Sequence, residues 1–219
     1  YIDDTVSIVQ NIKTAYNFSK TFKLLADFSV AKTNSQNPGR ADKPIYDNII
    51  DILRGNASIS LENSNGDFTG ALKGFYGFGD HYINDGYFTG EQPRSMMFKS
   101  IDHNYGLMLY QSYSGLKGTT VTVGLDYKNW GGRASNVPIP TSSAIEVELV
   151  NKSVSEFAAY IVAQQELFSI LSINAGIRYE NNSVFGGEWV PQAGANLNIF
   201  KGTTVKYIFS KGFRSPNIR

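Results

Sequence analysis

The sequence predicts an all-β protein, an antiparallel transmembrane β-barrel of about ten strands. Three features of its 219 residues predict this class. Apolar and polar residues alternate with a period of two, as in strands that have one apolar face. Many alternating segments run for about 9–13 residues, close to the ~9–11 that a tilted strand needs to cross a bilayer. Short and long connections also alternate, as in barrels with short turns on one rim and long loops on the other.

Alternation places the predicted strands in hairpin order along the chain. They are Tyr1–Asn17, Phe22–Val30, Asn48–Glu62, Phe68–Phe78, Ile101–Ser114, Thr119–Trp130, Ser153–Gln165, Ser169–Glu180 and the two strands on either side of Lys201-Gly202-Thr203. The clearest is 119–130, in which Val121, Val123 and Leu125 alternate with threonine, glycine and aspartate. The start of the third strand, Tyr46–Leu53, also fits a helical turn.

Glycine and asparagine mark the connections between these strands. Asn65-Gly66 is a strong hairpin signal, and Gly202 is free to adopt a positive φ. Short connections are predicted near residues 19–21, 63–67, 115–118, 166–168 and 201–203. Longer ones are predicted near 33–47, 79–100, 131–152 and 181–188. Their regular succession predicts the asymmetry between the two rims.

Composition excludes several other classes. The net charge of +1, from 20 basic and 19 acidic residues, lacks the basic excess typical of nucleic-acid binding. No cysteine is present, which excludes disulfides and thiolate chemistry. The mean hydropathy of -0.23 is too polar for a helical membrane protein, and no run of ~18 apolar residues occurs. Residue 1 is Tyr, and the sequence begins and ends within strand-like patterns. We therefore expect these 219 residues to be a piece of a longer chain.

Periodicity alone does not say which face meets water. In a soluble barrel or sandwich the apolar face packs inward, whereas in a membrane barrel it meets lipid and the polar face lines the lumen. Aromatic residues near strand ends favour the second arrangement, because such residues collect at membrane interfaces. They are Tyr16, Phe18, Tyr76, Phe78, Tyr127, Trp130, Tyr179, Trp189 and Phe209. Aromatics are also common in strands of any kind.

The end of the chain resembles the barrel of TonB-dependent outer-membrane receptors. The resemblance is carried by a tryptophan-led strand, Trp189–Gly194, and by the run Gly212-Phe213-Arg214-Ser215-Pro216. It implies that residues 1–219 are one segment from the central part of a barrel of about 22 strands that encloses a plug. The plug domain and the segment that contacts TonB would then lie outside this chain.

The same resemblance implies a location in the outer membrane of a Gram-negative bacterium, in contact with lipid. Such receptors are not enzymes; they import scarce nutrients such as iron-siderophores, haem, cobalamin or glycans, with energy supplied through TonB. Two alternatives stay open: a plugless outer-membrane channel or adhesin barrel, and a soluble β-rich binding domain.

Five residues are candidates for contact with a ligand or a plug. Arg54, Arg178 and Lys206 fall on the polar face of their strands, where a lumen would be. Arg214 would lie near the rim, and His81 is predicted in the loop at 79–100, where it could bind an iron compound. Each also has a structural interpretation, as a member of a polar network or as a solvated loop residue. No catalytic constellation, cofactor motif or metal motif is predicted.

Overall fold

Ten long antiparallel strands make up the fold in a computed structural model of the chain. It describes residues 5–36, 39–40, 42–44, 48–84, 88–89, 92–93, 96–138, 143–168 and 170–211. The strands are β1 Thr5–Asn17, β2 Phe22–Gln36, β3 Ile49–Asn65, β4 Phe68–Asn84, β5 Met96–Leu116, β6 Thr119–Pro138, β7 Val147–Leu167, β8 Leu171–Asn182, β9 Gly186–Phe200 and β10 Thr203–Ser210. Each strand pairs with the next in the chain, so β1 and β10 form the open edges of the sheet.

The predicted hairpin order is confirmed, and glycine closes several of the turns. Gly66, Gly118 and Gly202 adopt φ values of 57°, 67° and 88°, in the region that residues with a Cβ rarely adopt. These turns share one rim, the lower rim, with the connection at 18–21 and the turn residues Phe168 and Ile170. The opposite, upper rim carries the connections that follow β2, β4, β6 and β8.

The strands extend further towards the upper rim than the sequence predicts. β4 continues to Asn84 and β5 begins at Met96, where a loop over 79–100 was expected. β6 likewise runs to Pro138 and β7 begins at Val147, inside the predicted loop 131–152. Polar residues occupy both faces in these extensions. The pairing therefore continues without the apolar alternation that reveals a strand.

The predicted third strand is confirmed and its helical alternative is excluded, whereas one expectation about a connection is wrong. Residues 49–53 belong to β3, which rules out a helical turn there, while residues 45–47 lie outside the described part of the chain. The connection predicted as long near 181–188 is a three-residue turn between β8 and β9. The Asn182 side chain shortens it, because its Oδ1 accepts hydrogen bonds from the backbone N–H groups of Val184 (2.9 Å) and Phe185 (3.3 Å). Two small hairpins, Gly39–Arg40 with Lys43–Pro44 and Phe88–Thr89 with Gln92–Pro93, complete the described structure.

The two faces of the long sheet differ in composition and burial. Apolar side chains on one face are open to the surroundings, and Val123, Leu125 and Ile177 are 48%, 46% and 42% exposed. Most strand residues that are almost fully buried belong to the polar face: Ser60, Ala71, Asp126, Ala134, Val154, Ala158 and Asn182. No second layer covers either face in the described residues, so the greater burial of the polar face must come from curvature of the sheet. We therefore assign the polar face to the concave side. The apolar face then points outward, as in a membrane barrel.

The upper limit of the apolar band crosses the strands obliquely. On successive strands, the last outward apolar residue before polar ones is Val30, Leu53, Phe78, Tyr105, Tyr127, Phe157, Tyr179, Trp189 and Phe209. Phe78 is paired with His103, so Tyr105 lies two residues lower, and Tyr105 is paired with Asn129, so Tyr127 is lower again. Because the strands of a barrel are tilted, a boundary parallel to the membrane plane meets each strand at a lower paired position than on the strand before it. Seven of these nine residues are aromatic, which matches a girdle at headgroup level.

No helix in the described residues is long and apolar enough to cross a membrane.

Candidate functional site in the inner wall

The inner wall brings most of the candidate residues onto one face. The pairing register places Arg54 on β3, Arg178 on β8 and Lys206 on β10, all on the polar face. His81 lies on the same face, but within β4 and not in a loop as predicted. The sequence misplaced it because the upper half of β4 has no clear apolar alternation. Arg214 and the run around it lie outside the described residues.

Arg178 is the centre of a charged cluster shared by β6, β7 and β8. Its Nη1 lies 2.6 Å from Oδ2 of Asp126, and its Nη2 lies 3.4 Å from Oε1 of Glu180. The guanidinium also lies 5.7 Å from the centre of the Tyr160 ring, within range of a cation–π contact. Asp126 is 7% exposed, and a buried carboxylate requires such a partner to offset its lost hydration. Arg178 is thus a structural partner of Asp126 as well as a lumen-facing cation.

Glu156 extends this cluster towards the upper rim. Its carboxylate lies next to the carboxylate of Glu180 and close to Lys128 and Asn182. Two neighbouring carboxylates repel each other unless cations or a proton offset the charge. Arg178 and Lys128 are the cations on either side of the Glu156–Glu180 pair, and together they face the three carboxylates of the cluster. With one carboxylate in excess, loss of either cation would leave neighbouring carboxylates without a partner.

A second cluster joins β3, β4 and β5 above the first. The carboxylate of Asp102 lies 3.6 Å from Nη2 of Arg54 and 3.9 Å from Nε2 of His81. His81 Nδ1 is 3.4 Å from the Ser100 hydroxyl, so both ring nitrogens face polar atoms. Two candidates from separate strands, Arg54 and His81, therefore meet at one carboxylate that the sequence did not single out.

A pocket of about 810 Å³ lies between the two clusters on the inner wall. Its lining includes Asp102, Asn104, Lys128, Trp130, Lys152 and Glu156. Gly131 and Gly132 continue β6 past the indole of Trp130, so the pocket floor is formed partly by backbone. The inward side chains of Lys128, Lys152, Asp102, Glu156 and Trp130 give it a mixed polar and aromatic character. Such a surface suits a polar molecule with a flat or hydrocarbon part.

Sequence reasoning missed most of this pocket. Trp130 was grouped with the interfacial aromatics, but the register places it on the inner face, between Asn104 and Val154. Gly131-Gly132 and Lys152 fell in a predicted loop. Glu156 was inside a predicted strand, yet a single carboxylate carries no positional signal. Only the pairing of three separate strands brings these residues together. No group of three or more metal-ligating side chains occurs in the part of the chain that the structure describes.

The comparisons with known proteins point to one family. The family described as TonB dependent receptor-like, beta-barrel matches residues 3–219. No curated protein matches the chain. The solved structures are similar in fold at low sequence identity.

Three of those structures illustrate the similarity. The siderophore receptor PirA from Pseudomonas aeruginosa is 16% identical over 98% of this chain and 34% of its own, with a TM-score of 0.72. The ferripyoverdine receptor of the P. aeruginosa outer membrane is 10% identical over 94% and 35%, with a TM-score of 0.69. The RagAB peptide transporter is 9% identical over 91% and 31%, with a TM-score of 0.66. The chain thus spans about a third of the length of each.

Proposed function

Because the chain belongs to the TonB-dependent receptor-like β-barrel family, we propose that it is part of the wall of an outer-membrane receptor that imports a scarce nutrient. Residues 1–219 would be one barrel segment, and the plug and the TonB-contacting segment would belong to the rest of the full-length chain. The observation that carries the proposal is the contrast between the faces. Outward apolar side chains meet lipid, and inward charged clusters border an aqueous lumen.

The inner pocket is the proposed ligand-facing surface of this segment. It lies towards the upper rim, which carries the longer connections and would face the outside of the cell. Trp130 would stack on the ligand, while Lys128, Lys152, Asp102 and Glu156 would bind its polar groups. The nutrient stays one of four classes: an iron-siderophore, haem, cobalamin or a glycan. None of the pocket residues is arranged for covalent chemistry, so the proposed role is binding and passage.

Uptake by intact cells tests the proposed function. Cells that carry the full-length gene and cells in which it is deleted are compared for growth on iron-siderophores, haem, cobalamin and glycans as limiting nutrients. We expect the deletion to abolish growth on one class, and removal of TonB to give the same defect. Equal growth of both strains on every class would contradict an import role.

The two tryptophans of the chain provide a matched test of the pocket. Trp130→Ala removes the indole from the inner pocket, and we expect uptake of the nutrient to fall about tenfold, as loss of a stacking contact implies. Trp189→Ala removes an equal side chain from the outward face and should leave uptake near the wild-type rate. Receptor abundance in the outer membrane is measured for both variants. Equal uptake by both would remove the pocket from the proposal.

A further inference from the structure

The upper rim has a step between β7 and β8. β7 begins at Val147, but its ladder with β8 begins only at Glu156, which is paired with Asn182. From β2 to β7, neighbouring strands instead end nearly together at this rim. In the described residues, the edge of β7 that faces β8 is therefore left without a partner strand over residues 147–154. We call this stretch the open edge.

The open edge presents backbone hydrogen-bonding groups to the side opposite β6. At its lower end, the Ser183 N–H donates to the Ser155 carbonyl at 2.8 Å, and the Ser155 N–H donates to the Ser183 hydroxyl at 3.0 Å. Alternate residues of a strand direct their backbone groups to the same side, so Ser153 and Asn151 face the same way as Ser155. No described residue takes the place of Ser183 opposite them. Ser153 and Asn151 thus offer a row of backbone donors and acceptors.

The open edge lies above the apolar band, where its backbone groups meet water. Phe157 is the last outward apolar residue of β7 before polar ones, and Ser155, Ser153 and Asn151 follow it towards the upper rim. Unpaired backbone groups are unfavourable in hydrocarbon, so a strand edge of this kind is stable only outside the bilayer. Because β8 and β9 lie directly below the edge, a partner reaches it from the upper rim.

The side chains around the open edge favour a peptide that carries a negative charge. On the inward face, Val150 and Lys152 line the inner pocket, and Lys152 forms none of the ion pairs found among the described residues. A carboxylate on the inward side of an added strand would lie opposite Lys152, as a favourable cross-strand pair. The turn below the edge exposes Val184 and Phe185, at 60% and 47%, as an apolar contact for the lower end of such a strand.

We propose that the open edge binds a linear acidic peptide from outside the cell by strand addition. The peptide lies beside β7, in line with β8, and its backbone pairs with Ser153 and Asn151. Its inward carboxylate meets Lys152 at the mouth of the inner pocket. The edge is regular over Val150–Val154, because the register shift between β6 and β7 lies above it. The inference rests on the proposal that the upper rim faces the outside of the cell, and not on which nutrient is imported.

A library of linear octapeptides, screened for binding to the full-length receptor in lipid nanodiscs, tests the site. We expect the wild-type receptor to select peptides with carboxylates at alternate positions. Asn151→Pro removes one N–H of the open edge and should lower the affinity for the selected peptides about tenfold. The fold should tolerate this change, because proline is accepted where the N–H of an edge strand faces solvent. Asn151→Ala keeps the N–H and should bind as the wild type does.

Modified peptides give a second test, on the unaltered receptor. Strand addition uses the N–H groups of alternate peptide residues only. N-methylation of one alternate set in a selected peptide should therefore abolish binding, whereas N-methylation of the other set should leave the affinity near that of the parent peptide. Reversal of the charge on the receptor, by Lys152→Glu, should shift the selection from acidic to basic peptides.

Several results would overturn the proposal. They are failure to select any peptide, equal affinity of the wild-type and Asn151→Pro receptors, equal effects of the two N-methylation patterns, and an unchanged selection by Lys152→Glu. Slow hydrogen exchange of the Asn151 and Ser153 amides in the peptide-free receptor would also overturn it, because another part of the full-length chain would then cover the edge. Nutrient uptake by cells with the Asn151→Pro receptor is measured separately, so failure of the peptide site leaves the proposed function intact.

Discussion

The two faces of β6, β7 and β8 share one backbone but meet different surroundings. Outward, Val123 and Ile177 are large, apolar and half-exposed, and only lipid would cover them favourably. Inward, Asp126 and Arg178 are ionised groups that stabilise one another across two strands. The two faces therefore accept different side chains, because the outward face meets lipid and the inward face meets water. Within the apolar band, the exposed outward side chains are apolar, whereas the inward charges of this cluster lie beside opposite charges.

An outward charge in the apolar band should have the largest effect. Ile173 lies on the outward face near mid-band, and Asn174 is its inward neighbour. Ile173→Arg should reduce stability by about 2–4 kcal/mol, as arginine does at the bilayer midplane of membrane barrels. Asn174→Arg should cost much less, because the polar face borders water. Unfolding of the full-length receptor by urea in lipid bilayers measures both. Equal costs would break the assignment of the faces.

The next largest effect is expected from removing the cation of the inner cluster. Arg178→Met leaves Asp126 buried without its partner, and we expect a loss of about 2 kcal/mol. The double variant Asp126→Leu/Arg178→Met removes both charges and should cost less than the single change, since a buried pair is often replaceable by apolar residues. A double-mutant cycle by urea unfolding gives the coupling. Additive effects would show that the contact contributes nothing.

A smaller effect is expected at the outward aromatic boundary. The rings of Tyr179 and Trp189 lie 4.9 Å apart, on paired positions of β8 and β9. Their coupling should be about 1 kcal/mol beyond the area that each buries. The cycle uses Tyr179→Ala, Trp189→Ala and the double variant, with unfolding as the readout. Zero coupling would mean that each ring acts through lipid alone.

The smallest effect is expected for an exposed ion pair near the lower rim. Lys23 Nζ lies 3.9 Å from Oε2 of Glu62, and the two side chains are 45% and 41% exposed. Such pairs contribute about 0–1 kcal/mol. Lys23→Met should therefore shift the unfolding midpoint little, and salt should remove that shift by screening. A cost as large as that of Arg178→Met would contradict the distinction between balanced buried charges and solvated ones.

Within the apolar band, the sequence predicted the structure well. Val121, Val123 and Leu125 alternate with small polar residues, because lipid on one side and water on the other impose a period of two. The turn at Asn65-Gly66 followed from backbone sterics, which are local. Above the apolar band, the alternation of apolar and polar residues ends. Both faces of β4 and β5 meet polar surroundings there, so the sequence predicted a loop at His81.

The site residues show the limit of local signals. Arg54, His81 and Asp102 come from three strands, and their meeting depends on how β3, β4 and β5 are paired. Trp130 shows the same limit, since a change of one residue in register would turn it to the other face. The aromatic character of Trp130 predicted a position at the membrane interface, whereas the pairing of β6 with β5 and β7 placed its side chain in the lining of the inner pocket.

Composition and period alone determined that these strands have one apolar and one polar face, because successive side chains in a strand point to opposite sides. They also determined where glycine closes the hairpins, since a positive φ is a property of single residues. Tertiary structure decided how far the strands continue beyond the apolar band. It also decided which charges meet in the inner wall. Those features depend on the alignment of neighbouring strands, and no single stretch of chain contains that information.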